Sequence, residues 1–254
     1  LFTWLSGIRI LWLISGIGSL ILAIYVLKEG KEVSNSDTHE NSYKQYLNIV
    51  LKGTTYLLKD KLLFTLIISS FVWFVSTGIF ALSWQPYFKQ QAIDPKYFGI
   101  IMTAYMFISI PILKKAGKLS RKFKGELTII QIVGILATIV TISMAFASKM
   151  AWIPYILYGA VYSLMDPVFQ GYINKLIPSS VRSTVLSTHN LLISVATIVS
   201  SGIFGLIGKY YSFKALFITS AIVSIITVLI IGFAKIIEKK NVVSRVEGGT
   251  SKNG

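Results

Sequence analysis

The sequence of 254 residues contains no cysteine and only two histidines, His39 and His189. Without cysteine there is no disulfide framework, no thiol nucleophile and no cysteine-ligated zinc. Two histidines are too few for the usual histidine-built metal centre, so neither a metal nor any other cofactor is expected. Charge is also scarce. Only 14% of residues are charged and 10 are acidic, whereas 54% are apolar and the mean hydropathy is +0.68. Soluble domains average about 25% charged residues, so this balance excludes an ordinary globule in water. It excludes a disordered chain as well, because disorder requires few apolar residues. The net charge of +15 would suit nucleic acid if it decorated one surface. The lysines and arginines instead sit between long apolar runs, so no nucleic-acid partner is expected.

Those runs are 10–27, 62–84, 98–113, 127–147, 152–173, 185–207 and 215–234. A bilayer core of ~30 Å is crossed by about 20 helical residues. Barrel strands, at ~10 residues with alternating polarity, are too short to account for them. All 25 Lys and Arg residues and nine of the ten acidic residues lie outside the seven runs. An ionised side chain at mid-bilayer costs at least ~2.5 kcal/mol, so this exclusion is the signature of lipid. The expected fold is all-α, a polytopic membrane helix bundle of seven transmembrane helices in the cell membrane. The third span should start at Asp94-Pro95, with Asp as cap and Pro at the first helical position. The run 10–27 is too long for the apolar core of a signal peptide. With Leu rather than Met at position 1, the chain is expected to be a fragment or a processed product.

Orientation follows from the basic residues in the connections. Segments 28–61, 114–126, 173–184 and 235–254 hold 19 Lys and Arg, whereas the alternate set holds 6. The first set is therefore expected in the cytoplasm, together with the C-terminus. Residues 1–27 form one span and 28–61 a cytoplasmic loop. Residues 62–234 form a six-helix unit, and 235–254 are expected to be a disordered tail. The loop becomes amphipathic after residue 42, with Tyr43, Tyr46, Leu47, Val50, Leu51, Leu57 and Leu58 at helical spacing. Such a helix lies either on the anionic leaflet or on the bundle's own cytoplasmic face, and the pattern does not choose between them.

Placing residues at ~100° per position separates the spans chemically. Ser70, Trp73, Thr77, Phe80 and Trp84 share one arc of the span 62–84. Tyr155, Tyr158, Tyr162, Asp166 and Phe169 share one in 152–173. In 185–207 the stripe is Ser187, Asn190, Ser194, Thr197 and Ser201. Spans 127–147 and 215–234 are nearly featureless, as helices facing lipid would be. Polar stripes in a membrane face another helix or a water-filled cavity. Small hydroxyls alone suit packing, whereas Trp, Tyr and Asn on several helices point to a cavity. Asp166 is the one acidic residue inside a span. Three roles stay open for it: an ion pair with a cytoplasmic cation, proton uptake and release, or a local cap where Pro167 interrupts the helix. His189 either titrates or is simply a polar residue near the interface.

Three stretches resemble a known family. Trp84-Gln85-Pro86-Tyr87-Phe88 ends a span ahead of a short loop and a second span. Gly117-Lys118-Leu119-Ser120-Arg121-Lys122-Phe123-Lys124-Gly125 is similar to a short basic loop of pattern G-x-L-x-D-R-x-G-R/K, with Arg121 where Asp is usual. Asp166-Pro167 is followed by Asn174-Lys175-Leu176-Ile177-Pro178-Ser179-Ser180-Val181-Arg182-Ser183-Thr184-Val185-Leu186-Ser187, which resembles the approach to an eleventh helix. Together they resemble helices six to twelve of a twelve-helix major facilitator superfamily transporter, nearest to drug-efflux members.

The resemblance implies secondary transport by alternating access, as a proton-coupled exporter or antiporter of small amphipathic molecules. Its partners would be the substrate, protons, the bilayer and the missing N-terminal half of the same transporter. By position, Gly117, Arg121, Lys122 and Arg182 would belong to the cytoplasmic gate, with Asp166 as an acidic partner, and Asp166 and His189 would serve proton coupling or the gate. Trp73, Thr77, Trp84, Tyr155, Tyr158, Tyr162, Asn190 and Ser194 would line the substrate cavity. With no buried cation among them, neutral or cationic compounds are favoured over anions. The alternative is a seven-helix receptor or sensor, although no span carries the lysine a retinal protein needs and the 28–61 loop is long for that class. An enzyme is not expected, since only Asp166 and His189 would be available for chemistry.

Overall fold

A computed structural model describes residues 53–122 and 125–250, the helix Gly16–Tyr25, and Leu13, Lys28 and Leu51. The side chains of residues 116, 118–122 and 242–250 are not described. The amphipathic positions 43–50 and residues 251–254 lie outside the described set. Among the described residues there are helices and turns but no strand.

The first helix, α1 (Gly16–Tyr25), is apolar and stands in a unit of its own. The second unit starts with a short helix α2 (residues 53–59) and continues through α3 (Lys61–Gln90), α4 (Phe98–Lys122), α5 (Glu126–Phe146), α6 (Trp152–Leu176), α7 (Arg182–Tyr210) and α8 (Phe213–Thr250). Five helices, α3, α4, α5, α7 and α8, are long and apolar enough to cross a bilayer. The expected count of seven is therefore not reproduced. α6 has the length, at 25 residues, but the tyrosines, prolines and Asp166 that mark it lower its hydropathy. α1 is described over too few residues to span.

Local chemistry sets the helix ends. Asp60 caps α3 by accepting the Leu63 N–H at 3.0 Å. Asp94 accepts the Lys96 N–H at 3.0 Å, and Pro95 opens a 3-10 turn that leads into α4, as its sequence position predicted. Gly125 precedes α5 at φ 133°, a backbone state that side-chain-bearing residues avoid. Glu126 then occupies the first turn of α5, where a carboxylate complements the helix dipole, and it pairs with Lys175 of α6. α8 continues to Thr250, so most of the expected disordered tail 235–254 is helical backbone. Two bonds hold its first extra turn: Lys235 Nζ to Gln131 Oε1 at 3.1 Å, and the Tyr172 hydroxyl to Glu238 Oε1 at 2.6 Å.

α3 is the hub. It packs along α8 and α7, α5 packs on α8 and α6, and α4 packs on α6. Small polar residues make the closest approaches. The Ser76 hydroxyl donates to Ser220 O at 2.8 Å and the Ser220 hydroxyl donates to Ser76 O at 2.9 Å, which locks α3 to α8. Thr138 donates to Ser224 between α5 and α8 at 2.9 Å, and Ser109 donates to Gly159 O between α4 and α6 at 3.0 Å. The spans read as featureless therefore carry packing hydroxyls. About half of the apolar window of α5 and 39% of that of α8 are buried within the unit. The helices left bare are α4 and α7, with 6% and 11% buried.

Over residues 53–59 the structure favours the bundle's own face for the loop helix. Leu57 is buried, the Tyr56 hydroxyl donates to Leu176 O at 3.2 Å, and Gly53 sits against Thr184.

Close approach at Gly159 yields a stability prediction. A Cβ there would lie 2.8 Å from the Tyr105 carbonyl oxygen and 2.7 Å from its ring. Gly159→Ala should cost about 1–3 kcal/mol by overpacking, read as a lower Tm in detergent. Gly171→Ala, with nothing within 4 Å, should leave Tm unchanged or raise it.

Candidate functional site

α3 and α6 face one another across an aromatic cleft. From α3 come Phe74, Thr77, Gly78, Phe80, Ala81 and Trp84, and from α6 come Tyr155, Tyr158 and Tyr162. Tyr105 of α4 and Thr197 of α7 complete a cavity of about 320 Å³. Its rings brace one another. Phe80 stacks on Tyr158 with centroids 3.9 Å apart, Trp84 lies 4.5 Å from Tyr155, and Tyr105 lies 5.2 Å from Tyr155. Gly78 lets Ser200 of α7 come against α3, where a Cβ would lie 2.3 Å from the serine hydroxyl. Among the described residues no charged side chain lines the cleft. It offers ring faces and hydroxyls, a surface suited to uncharged or softly cationic ligands and hostile to anions.

A second, much smaller niche adjoins it. Ser70, Trp73, Phe74, Met165, Asp166 and Phe169 enclose about 10 Å³, room for one water at most. Phe74 belongs to both walls. Asp166 is exposed at the unit surface and makes no ion pair or hydrogen bond among the described residues. It lies close enough to Tyr162 and His189 to act on both electrostatically. His189 is fully buried between α7 and α3. Its Nε2 is hydrogen-bonded to the Ser70 hydroxyl at 2.7 Å, its ring lies 6.3 Å from that of Phe169, and Nδ1 has no hydrogen-bond partner among the described residues.

The expected site residues thus separate. Thr77, Trp84, Tyr155, Tyr158 and Tyr162 share the cleft, whereas Trp73 turns into the Asp166 niche. Asn190 and Ser194 lie on an exposed face of α7 outside the cleft, and the Ser194 hydroxyl donates back to Asn190 O at 3.1 Å. Arg182 donates to Ile177 O at 3.1 Å, closing the turn between α6 and α7. Gly117 is exposed with nothing within 4 Å of a built Cβ. The side chains of Arg121 and Lys122 lie outside the described set. Sequence periodicity did not single out Phe74, Gly78, Ala81 or Tyr105. Phe74 lies off the arc chosen for its span, and Tyr105 belongs to a helix with no aromatic stripe.

The profile of the Major Facilitator Superfamily matches residues 1–201. The chain belongs to that superfamily. A Bacillus subtilis (strain 168) protein, YxaM, described as an uncharacterized MFS-type transporter, is 22% identical over 217 residues. The match covers 83% of this chain and 54% of YxaM, so the superfamily member described here spans about half the length of the curated relative it matches. No solved structure matches it.

Two measurements check the geometry. In this cysteine-free background, cysteine at Tyr162 or Thr197 should react with a membrane-impermeant thiol reagent, while cysteine at the buried Ser83 stays inert. Ser70→Ala should strip His189 of its hydrogen bond to α3 and cost about 1–3 kcal/mol, measured as a fall in Tm.

Proposed function

We propose that the chain supplies the C-terminal half, with one preceding helix, of a secondary transporter. It exports small neutral or cationic amphipathic molecules in exchange for protons. The observation that carries this reading is the uncharged aromatic cleft sharing the Phe74 wall with the niche of Asp166, the one carboxylate inside a span. A ligand in the cleft presses on Phe74 from one side, and the proton state of Asp166 alters the niche on the other. Occupancy and protonation are thereby linked through one ring, the reciprocity that coupled exchange requires.

Superfamily membership favours a carrier over a receptor. The bare faces of α4 and α7 are where the other half would pack, since alternating access needs a second bundle to rock against. The basic-residue asymmetry supports a cytoplasmic C-terminus, with the turns at 91–97 and 147–151 on the outer side.

Asp166→Asn in the full-length protein should abolish export driven by an imposed pH gradient. Proteoliposomes loaded with a fluorescent planar cation such as ethidium provide the readout. Undiminished gradient-driven export by Asp166→Asn would remove Asp166 from the coupling mechanism.

A further inference from the structure

Among the described residues only Ala92 (φ 59°) and Ser148 (φ 46°) hold a non-glycine backbone in the left-handed region. Both occur at the same end of the bundle, one in the turn between α3 and α4, the other between α5 and α6. Such conformations persist only where the surroundings hold them, and they concentrate at functional sites. Here both turns are held. Ala92 N–H donates to Lys89 O at 3.1 Å, and Ala151 N–H donates to Ser148 O at 3.1 Å.

Between these turns lies a pocket of about 460 Å³ at the starts of α4 and α6, which shares no described lining residue with the aromatic cleft. Ala92 forms part of one wall, and Lys149, next to Ser148, part of the other. Ile100 and Ile101 provide apolar surface, and the partly exposed rings of Tyr97 and Trp152 stand at the rim. Asp94 is also present, but its carboxylate is already engaged by the Lys96 ammonium at 3.0 Å and by the Lys96 N–H at 3.0 Å. These contacts hold it below the usual carboxylate range. Lys96 is committed in turn, since it also covers the Tyr97 ring at 5.0 Å. Lys149 has neither an ion pair nor a hydrogen bond among the described residues. The pocket therefore presents one uncommitted cation above apolar walls, with amphipathic rings of the kind enriched at membrane–water interfaces.

We propose that this pocket binds an anionic phospholipid from the adjoining leaflet, with Lys149 holding the phosphate and Ile100 and Trp152 contacting the start of the acyl chains. The volume is in the range of small-molecule sites and leaves room for a glycerol backbone beside the phosphate. A charge-assisted contact of this kind gives roughly tenfold in affinity.

The test uses the full-length protein in detergent, with lipid binding followed by native mass spectrometry. It requires no transport, so its outcome is separate from that of the proposed exchange mechanism. Phosphatidylglycerol should bind about tenfold more tightly than phosphatidylcholine. Lys149→Gln should erase that preference, while Lys209→Gln, at the same end of the bundle but outside the pocket, should keep it. Equal binding of the two lipids, or an unchanged preference in Lys149→Gln, overturns the proposal. An equal loss in Lys209→Gln would show a diffuse surface charge instead of a site. Displacement of phosphatidylglycerol by millimolar inorganic phosphate would mean that the pocket takes free phosphate, and the lipid assignment falls.

Discussion

A hydroxyl or imidazole surrounded by hydrocarbon has no water to bond to, so each polar group within the spans must find its partner in the bundle or face a cavity. Much of the architecture follows from how that requirement is met. Ser76 and Ser220 satisfy one another's backbone across α3 and α8, Thr138 meets Ser224 across α5 and α8, and Ser109 meets Gly159 across α4 and α6. Ser70 and His189 do the same across α3 and α7. Each pair fixes the rotation of one helix against another. Together they determine which face of α3 and α6 is left to line the cleft.

The faces that remain differ in kind. The cleft takes the aromatic residues, whose rings need no partner and whose hydroxyls tolerate an opening. The niche beside Asp166 is small, and the carboxylate, exposed at the unit surface, is the exception to the pairing rule, with no ion pair or hydrogen bond among the described residues. Charge elsewhere is confined to the ends of the bundle. There Lys175 meets Glu126, Lys235 meets Gln131, Tyr172 meets Glu238, and Tyr56 ties α2 to the end of α6. One end is thus knitted by polar side chains from four elements, whereas at the other, strained turns carry Lys96 and Lys149.

Much of this was legible in the amino-acid order. The cap at Asp94-Pro95 needs only local chemistry, and it stands where expected. Thr77 and Trp84 on one helix, and Tyr155, Tyr158 and Tyr162 on another, share the cleft because a common arc on a straight helix faces a common neighbour. The same rule failed for Trp73, one turn below Thr77, since the two cavities divide along the height of α3. It also failed for Asn190 and Ser194, whose stripe is continuous but rotated away from the cleft apart from Thr197. Gly248 and Gly249 suggested a loose tail, yet the helical backbone of α8 continues past them.

Sequence by itself determined where lipid must lie, because ionised side chains are too costly in hydrocarbon and their positions along the chain mark its borders. It also determined which helices carry aromatic or polar stripes, since periodicity depends on one helix axis alone. Only the tertiary structure decided how those axes are rotated against one another. That arrangement joined Tyr105 and Phe74 to the cleft, buried His189 against Ser70, and brought Ala92 and Lys149 to one pocket from turns more than fifty residues apart. Contacts between helices depend on small residues that allow close approach, and no pattern within a single helix records which neighbour those residues will meet.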